Sequence, residues 1–454
     1  MRHIYTFLSS TAFIHVVWLL WFAGLPFSKA VSSSVLGTLF GIGMLGVLIQ
    51  GPRVVLSQYR AAQNMRLYAP ILCFCVLWVA YLAGMAYTSN CYVGGLFLWK
   101  QIPLLLTPWV LVFYYEHLQQ QHRLYLWVFV VANLVAGGLT IFLYSLPDNT
   151  VARIAGFWGL MPFEQGSDRA YFGLYSPFIE RIQFANLLGL ALLSALWLAG
   201  TGVVRKERLM AGLSVLLLFI CMLILGGRGS LLGVLLGIGV WGMGQIYNSR
   251  YWVRFSTKFG RRLMAVLVGV LLWGALAGMS YMAIRYVEPV KKRYMQLYWE
   301  LDSYYNGTFT QYNYVEFTSI RRLLSWQKHA LLIQKNPILG VGTGDYRIEL
   351  QKLYEQDALG FPPNAHHQLL QIWATIGIWG LLVFGAILYY WLRAVRRQND
   401  TCNTLWAYSF LAFYLLLFST DSALSSQMGL TVFVLFAGLI ALDKNKKILG
   451  KLAK

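Results

Sequence analysis

The stretch RRLLSWQKHALLIQKNPILGVGTGD, residues 321–345, is the centre of a polar segment that runs from Arg285 to His366. The other long parts of the chain are apolar. Because charges are costly in hydrocarbon, this segment predicts a large loop inserted between membrane-spanning helices. It ends in two adjacent histidines, His366 and His367, where the chain returns to the membrane. Such a position can house chemistry on a membrane-bound substrate.

The composition is that of a membrane protein. Of the 454 residues, 58% are hydrophobic and 12% charged, whereas soluble domains carry about 25% charged residues. Apolar runs of roughly 18 to 25 residues recur, each able to cross about 30 Å of hydrocarbon. We predict an all-α polytopic protein, a single membrane domain over residues 1–454 with about twelve transmembrane helices. The spans lie near 5–24, 33–50, 68–87, 97–115, 124–145, 184–202, 209–226, 230–248, 263–284, 367–392, 403–419 and 425–442.

The distribution of the basic residues orients the chain. A net charge of +20 would suggest a nucleic-acid partner in a soluble protein. Here Lys and Arg cluster in alternate connections, and loops of the opposite side are neutral or carry both signs. This positive-inside pattern predicts cytoplasmic termini, an outward-facing 285–366 loop between the ninth and tenth helices, and no nucleic-acid partner. The basic clusters occupy residues 53–66, 205–208, 250–262, 393–397 and 444–454.

The polar segment has local structure of its own. Apolar residues recur at helical spacing from Ile320 to Ile333, and the pattern stops at Asn336-Pro337, where proline disfavours continuation of a helix. The glycines at 340, 342 and 344 allow a tight turn or a close backbone approach. The run is no dinucleotide-binding fingerprint, because no βαβ unit surrounds it.

Arg228 interrupts a long apolar stretch from Leu209 to Tyr247. A charge near hydrocarbon costs from about 2.5 to more than 10 kcal/mol, so it is usually paired or functional. One interpretation is an arginine that reaches the surface from an outer turn. It does not explain why glycines flank the residue on both sides, which favours the other interpretation, an anion-binding role.

Three more arginines are candidates. Arg321 and Arg322 are adjacent on the predicted helix and diverge by about 100°, so at most one faces a given site; a solvated basic pair is the alternative. Arg181 precedes a span and stands beside Glu180, with which it could pair locally.

His366 and His367 lie at the outer mouth of the next span. An imidazole titrates near physiological pH and can accept a proton from an attacking hydroxyl, although an isolated interfacial histidine is usually inert. Adjacent histidines rarely chelate one ion, and no metal motif accompanies them, so we predict no metal. Asp421, between the last two spans, is either an N-cap or an acidic partner for the arginines.

Five motifs together resemble the O-antigen ligase and O-antigen polymerase superfamily. The resemblance covers roughly residues 181 to 442 and is most specific between Arg322 and Gly380. The motifs are RLLSW at 322–326, NPILGVGTGD at 336–345, AHHQLLQ at 365–371, TIGIWG at 375–380 and DSALSSQMG at 421–429.

The resemblance implies a fold related to the membrane-embedded C-type glycosyltransferases and a location in the bacterial inner membrane. It also implies metal-independent transfer of a glycan from undecaprenyl pyrophosphate to a hydroxyl at the periplasmic face. The functional arginines of the family fall on Arg228 and Arg322, and its histidine on His366. The usual His-Asn pair is His366-His367 here, so His367 or Asn364 takes the place of the asparagine.

These residues suggest a mechanism. The planar guanidinium groups of Arg228 and Arg322 suit phosphate oxygens and would stabilise the charge that develops on the pyrophosphate, with no cofactor. His366 would take the acceptor proton. No carboxylate nucleophile is evident, which predicts inversion at the anomeric carbon.

The acceptor defines three alternatives: lipid A–core for a ligase, which we favour, a second lipid-linked glycan for a polymerase, or a protein hydroxyl. A lipid-glycan flippase is a rival from another class, but no two related halves are evident. If one substrate bridges all three groups, the charged ends of Arg228, Arg322 and His366 should lie within about 15 Å. The 285–366 loop should then cover a cavity with a polar mouth and apolar walls.

Overall fold

The computed structural model describes residues 10–50, 62–146, 176–225, 227–248, single residues between 260 and 286, 288–306, 308, 318–356, 366–398 and 400–442. Helices dominate these residues, and no strand occurs among them. The helices are α1 Thr11–Gly24, α2 Lys29–Gln50, α3 Ala62–Leu72, α4 Cys75–Ala83, α5 Cys91–Lys100, α6 Pro103–Phe113, α7 Tyr115–Ser145, α8 Arg181–Thr201, α9 Arg205–Leu225, α10 Arg228–Asn248, α11 Glu288–Tyr305, α12 Thr318–Lys335, α13 Tyr346–Gln356, α14 Gln368–Arg397, α15 Thr401–Thr420 and α16 Gln427–Ala441.

The apolar helices form a membrane bundle. Within the described ranges, eight helical segments are long and apolar enough to cross a membrane, α5 and α6 together forming one of them, and three shorter apolar helices accompany them. Together they account for every predicted span except 263–284, much of which lies outside the described residues. The all-α polytopic membrane fold is therefore confirmed.

Two predicted spans are broken. The predicted span 68–87 is divided by a turn at residues 73 and 74, between α3 and α4, and a turn at 101 and 102 separates α5 from α6. Pro103 starts α6 because the first turn of a helix needs no N–H at that position. Hydropathy does not reveal such breaks, since both halves remain apolar.

Close contact between α10 and α15 fixes the part of the bundle that carries the site. Gly229, Gly233 and Gly237 lie on one face of α10. A Cβ atom there would lie 2.7 Å from the Thr420 hydroxyl, 3.1 Å from the Phe413 carbonyl oxygen and 3.1 Å from the Ser409 carbonyl oxygen, respectively. Small residues at this spacing let membrane helices approach closely. This glycine seam holds the start of α10 against the end of α15.

The described part of the 285–366 segment consists of α11, α12 and α13. Helix α12 ends at Lys335, just before Asn336-Pro337, as the sequence predicts. The segment has a small apolar core of its own, shared with the start of α14: Leu332, Ile333, Tyr346, Leu350, Leu353, Tyr354 and Ala374.

The glycine run after α12 docks on a break in α14. Ile376 and Gly377 leave the helical conformation, with φ of +71° at Gly377. The N–H of Val341 donates to Ala374 O at 2.9 Å and that of Gly342 to Thr375 O at 3.0 Å. A Cβ on Gly340 would lie 2.6 Å from Thr375 O. The glycines thus permit the predicted close approach, and the partner is backbone.

Asp345 ties the same run to the connection between α4 and α5. Its carboxylate accepts from the backbone N–H groups of Ser89 at 2.6 Å and Asn90 at 2.9 Å. Thr343 donates its hydroxyl proton to Tyr81 O at 2.7 Å. The NPILGVGTGD motif is therefore a structural anchor.

Candidate active site

The candidate site lies where several helix ends meet at one end of the bundle. Helices α8, α10 and α14 begin there and α15 ends there; α12 packs against α14, and α11 packs against α12 and α9. The sequence-predicted residues Arg181, Arg228, Arg322, His366 and Asp421 stand at these ends or on α12. Asn364 lies outside the described residues.

Arg228 is half-buried at the first position of α10. It interacts electrostatically with Glu300, Arg181 and Arg322. A positive side chain is unfavourable beside the positive end of the helix dipole, so helix stability does not explain it. The N–H groups of the first turn, which have no acceptor within the helix, and the guanidinium both favour a nearby anion.

The glycines beside Arg228 have a packing role. A Cβ on Gly227 would lie 2.5 Å from the Ala185 side chain on α8, and Gly229 belongs to the glycine seam against Thr420. One turn into α10, the Ser230 hydroxyl donates to Asn186 Oδ1 at 2.6 Å. Arg228 is thus held between α8 and α15 by backbone contact.

Arg322 enters the same cluster from α12. Burial lowers its pKa from the ordinary value, and Asp421 and Glu300 oppose that shift. Its Nε is buried without a hydrogen-bond partner among the described residues. Arg322 is linked electrostatically to both carboxylates and to Arg228, and the Nε of the adjacent Arg321 is likewise buried without a hydrogen-bond partner among the described residues. The guanidinium remains charged, since arginine does not deprotonate in proteins.

Glu300 of α11 is a site residue that the sequence reasoning missed. It is fully buried and faces both Arg228 and Arg322 electrostatically. One carboxylate oxygen accepts from the Ser319 N–H at 2.7 Å and so caps α12; the other has no hydrogen-bond partner in the described ranges. The available signal was a glutamate on the apolar face of α11, between Leu297 and Tyr304.

His366 has the geometry expected of a reactive imidazole. Its backbone is left-handed, with φ of +52°, a conformation that costs about 1–2 kcal/mol outside glycine and often marks a functional position. Trp326 holds the residue by donating its indole N–H to His366 O at 3.2 Å. The Nδ1 atom faces Asp421 Oδ1 at 3.8 Å. This distance leaves room for the pair to tighten when substrate binds.

His367 is used differently. Its Nδ1 accepts the Leu370 N–H at 3.2 Å and caps α14, and its ring meets Trp326 edge to face. Burial lowers the pKa of His367, which favours the neutral form that a cap requires. Asparagine is among the best N-cap residues, so His367 does here what an asparagine at this position is suited to do.

Local contacts bear on two of the sequence alternatives. Asp421 is not the N-cap of α16; Ser426 is, because its hydroxyl accepts the Gly429 N–H at 3.0 Å. Glu180 forms an ion pair with Lys29 at 3.3 Å, and Arg181 interacts electrostatically with Arg228.

A buried histidine, His329, connects two helices of the polar segment. The Nδ1–H of His329 donates to Ser325 O at 2.6 Å, and its Nε2 accepts from the Tyr346 hydroxyl at 2.7 Å. Burial lowers the pKa of His329 to about 4. The ring is neutral at physiological pH and joins α12 to α13.

The assembled groups define an anion site with an acid–base residue beside it. Arginines from α10 and α12 are balanced by Glu300 and Asp421, and His366 adjoins Asp421. Within the described ranges, no three His, Cys, Asp or Glu side chains are arranged to hold a metal ion.

The fold and site therefore define a polytopic α-helical membrane protein with a cationic site at one end of its bundle. A family model described as O-antigen ligase matches residues 213–385, which include Arg228, Glu300, Arg322 and His366. This match confirms the resemblance that the motifs indicate, and it supports a glycosyltransferase-like enzyme of the O-antigen ligase or polymerase type. No curated protein matches the chain.

Proposed function

We propose that the protein is an O-antigen ligase, which transfers a glycan from undecaprenyl pyrophosphate to a hydroxyl of lipid A–core. The observation that carries the proposal is the cluster of Arg228, Arg322 and His366 around two carboxylates: Glu300 interacts with both arginines, and Asp421 faces Arg322 and His366. Two arginines can bind a pyrophosphate, and an imidazole beside a carboxylate can activate a hydroxyl. One glycosyl transfer requires both.

In the proposed reaction, the acceptor oxygen attacks the anomeric carbon as its proton passes to His366. The new C–O bond forms while the bond from the anomeric carbon to pyrophosphate breaks. Asp421 beside Nδ1 stabilises the resulting imidazolium and leaves Nε2 as the base, as in a His–Asp pair. Arg228 and Arg322 stabilise the charge on departing undecaprenyl pyrophosphate, and the proton leaves His366 afterwards. A single displacement inverts the anomeric configuration.

The proposed orientation has the site facing the periplasm and both termini in the cytoplasm of a bacterial inner membrane. Basic residues support it, because they flank the helix ends remote from the site: Arg205, Lys206 and Arg208 at the start of α9, and Arg393, Arg396 and Arg397 at the end of α14. Such residues face the cytoplasm. Labelling of single cysteines introduced at both ends would test this orientation.

The test of the reaction is transfer in purified membranes from undecaprenyl-pyrophosphate oligosaccharide to lipid A–core, followed by gel shift. We expect a metal-independent product, so excess EDTA should leave the rate unchanged; a requirement for added Mg²⁺ or Mn²⁺ would contradict the mechanism.

The acceptor separates the proposal from its alternatives. In a deletion strain, free lipid A–core together with unattached long polymer supports the ligase. Lipid A–core that carries single repeats indicates a polymerase, and a lost protein-linked glycan indicates a protein oligosaccharyltransferase. Lipid-linked glycan retained on the cytoplasmic side would indicate a flippase.

A further inference from the structure

A polar cavity of about 260 Å³ lies beside the candidate site. It is bounded by the start of α8, the turn at residues 421–426 and the start of α16. Asp421, which faces His366, also lines this cavity. A ligand in it would therefore contact a residue that adjoins His366.

Two buried polar atoms in the cavity wall have no hydrogen-bond partner among the described residues: Gln183 Oε1 and Ser422 Oγ. Such an atom costs about 1–3 kcal/mol if it stays unsatisfied. Two other hydroxyl groups of the same wall are satisfied. Ser425 donates to Gln371 Oε1 at 2.8 Å, and the Ser426 hydroxyl accepts the Gly429 N–H. A ligand that reached either side chain would satisfy an atom that the described residues leave unpaired.

The charges of the cavity argue against phosphate. Its cation, Lys29, already pairs with Glu180 at the rim, and Asp421 adds a negative charge. The arginine cluster is a better phosphate site, since Arg228 and Arg322 bring two positive charges. A neutral ligand suits the cavity better.

The apolar residues of the remaining walls favour a ligand that has both polar and apolar surfaces. Leu187, Met428 and Val432 line the cavity opposite its amide and hydroxyl groups. A pyranose has hydroxyl groups at its edge and apolar C–H groups on its faces. The volume is below the roughly 300–1,000 Å³ of pockets for drug-sized ligands, which suits one sugar rather than an oligosaccharide.

We propose that this cavity, the sugar pocket, binds a single neutral pyranose ring of a substrate through Gln183 and Ser422. The proposal rests on the proposed glycosyl transfer and adds a specificity site to it. The ring comes either from the donor, next to the pyrophosphate, or from the acceptor.

The test uses the full-length protein in lipid nanodiscs. Its affinity is measured for undecaprenyl pyrophosphate alone and for the same lipid bearing one glucose, galactose or N-acetylglucosamine. The corresponding methyl glycosides are then added to protein saturated with the sugar-free lipid. We compare the parent with Gln183→Leu, Ser422→Ala and the double variant.

We expect at least one sugar to bind the parent about tenfold more tightly through the pocket, the effect of roughly one or two hydrogen bonds, and the double variant to lose this gain. If the double variant no longer prefers the sugar-bearing lipid to the sugar-free lipid, the ring belongs to the donor. If it no longer binds the methyl glycoside, the ring belongs to the acceptor. The matched control is Ser409→Ala, which also removes a buried hydroxyl without a described partner but lies outside the pocket, and should change neither affinity.

If the parent and the double variant bind all sugars equally while sugar-free lipid still binds, the sugar pocket is wrong. The proposed function fails by a separate result, namely that Arg228→Ala leaves the affinity for sugar-free undecaprenyl pyrophosphate unchanged.

Discussion

Arginines at the two ends of the bundle differ in how fully their N–H groups are hydrogen-bonded. At the end remote from the site, Arg123 donates to Glu207 at 2.9 Å and 2.5 Å and to Thr201 O at 3.2 Å. Trp127 donates to the same carboxylate. At the site end, Arg322 faces Asp421 and Glu300 electrostatically, but its Nε has no hydrogen-bond partner among the described residues. A satisfied arginine fastens helices together, whereas one held near carboxylates with an unsatisfied N–H can bind an anion.

The largest expected effect is at His366. His366→Ala should abolish transfer, to below a tenth of the parent rate, because the proton acceptor is removed. Thermal stability in nanodiscs should change little. Retention of more than a tenth of the activity would exclude His366 as the general base.

Exchange to lysine tests whether the arginines at the two ends of the bundle differ in function. Arg228→Lys should lower transfer at least about tenfold although charge is retained, since lysine offers a point charge in place of a planar fork. Arg123→Lys is the matched control and should lower stability more than activity. Equal effects of both variants on the rate would mean that the two ends do not differ in function.

Glu300→Gln tests the part that a carboxylate plays in holding the arginines at the site end. The change keeps the shape of the side chain but removes the charge that faces Arg228 and Arg322. We expect a several-fold loss of transfer, with a changed affinity for undecaprenyl pyrophosphate, because the two arginines would repel each other more strongly. A loss of folding without a change of affinity would assign Glu300 to the cap of α12 alone.

The smallest effect is expected at His367. His367→Ala removes the N-cap of α14 and should cost about 1 kcal/mol of stability, with a milder loss of activity than His366→Ala. His367→Asn should restore the stability, since asparagine caps equally well. If His367→Ala were the more damaging to catalysis, the roles of the two histidines would be exchanged.

The features that could be predicted are those that depend on a local sequence pattern. Hydropathy located the spans, the stop at Asn336-Pro337 located the end of α12, and motifs singled out Arg228, Arg322 and His366. Glu300 escaped because its importance comes from tertiary contacts with arginines on two other helices. The pair between Glu180 and Lys29, which are far apart in the chain, could not be read from neighbours in sequence.

Details of the backbone could not be predicted from the sequence either. Neither the break in α14 at Ile376 and Gly377 nor the cap made by His367 leaves a mark on composition. Asp345 ends a recognisable motif, but the motif does not show that its carboxylate binds two N–H groups of another segment. These features arise from which segments meet, and that information lies in the packed structure.

The glycine seam between α10 and α15 has a consequence for how this protein can vary. Its spacing depends on direct contact of Gly229 with the short side chain of Thr420 and of Gly233 with the ring and the backbone of Phe413, so little room is left to absorb a change. Enlarging Gly229 would displace Arg228 from Glu300 and Arg322 unless Thr420 became smaller at the same time. Among related sequences, positions 229 and 420 should therefore covary in size, so that one member of the pair is always small.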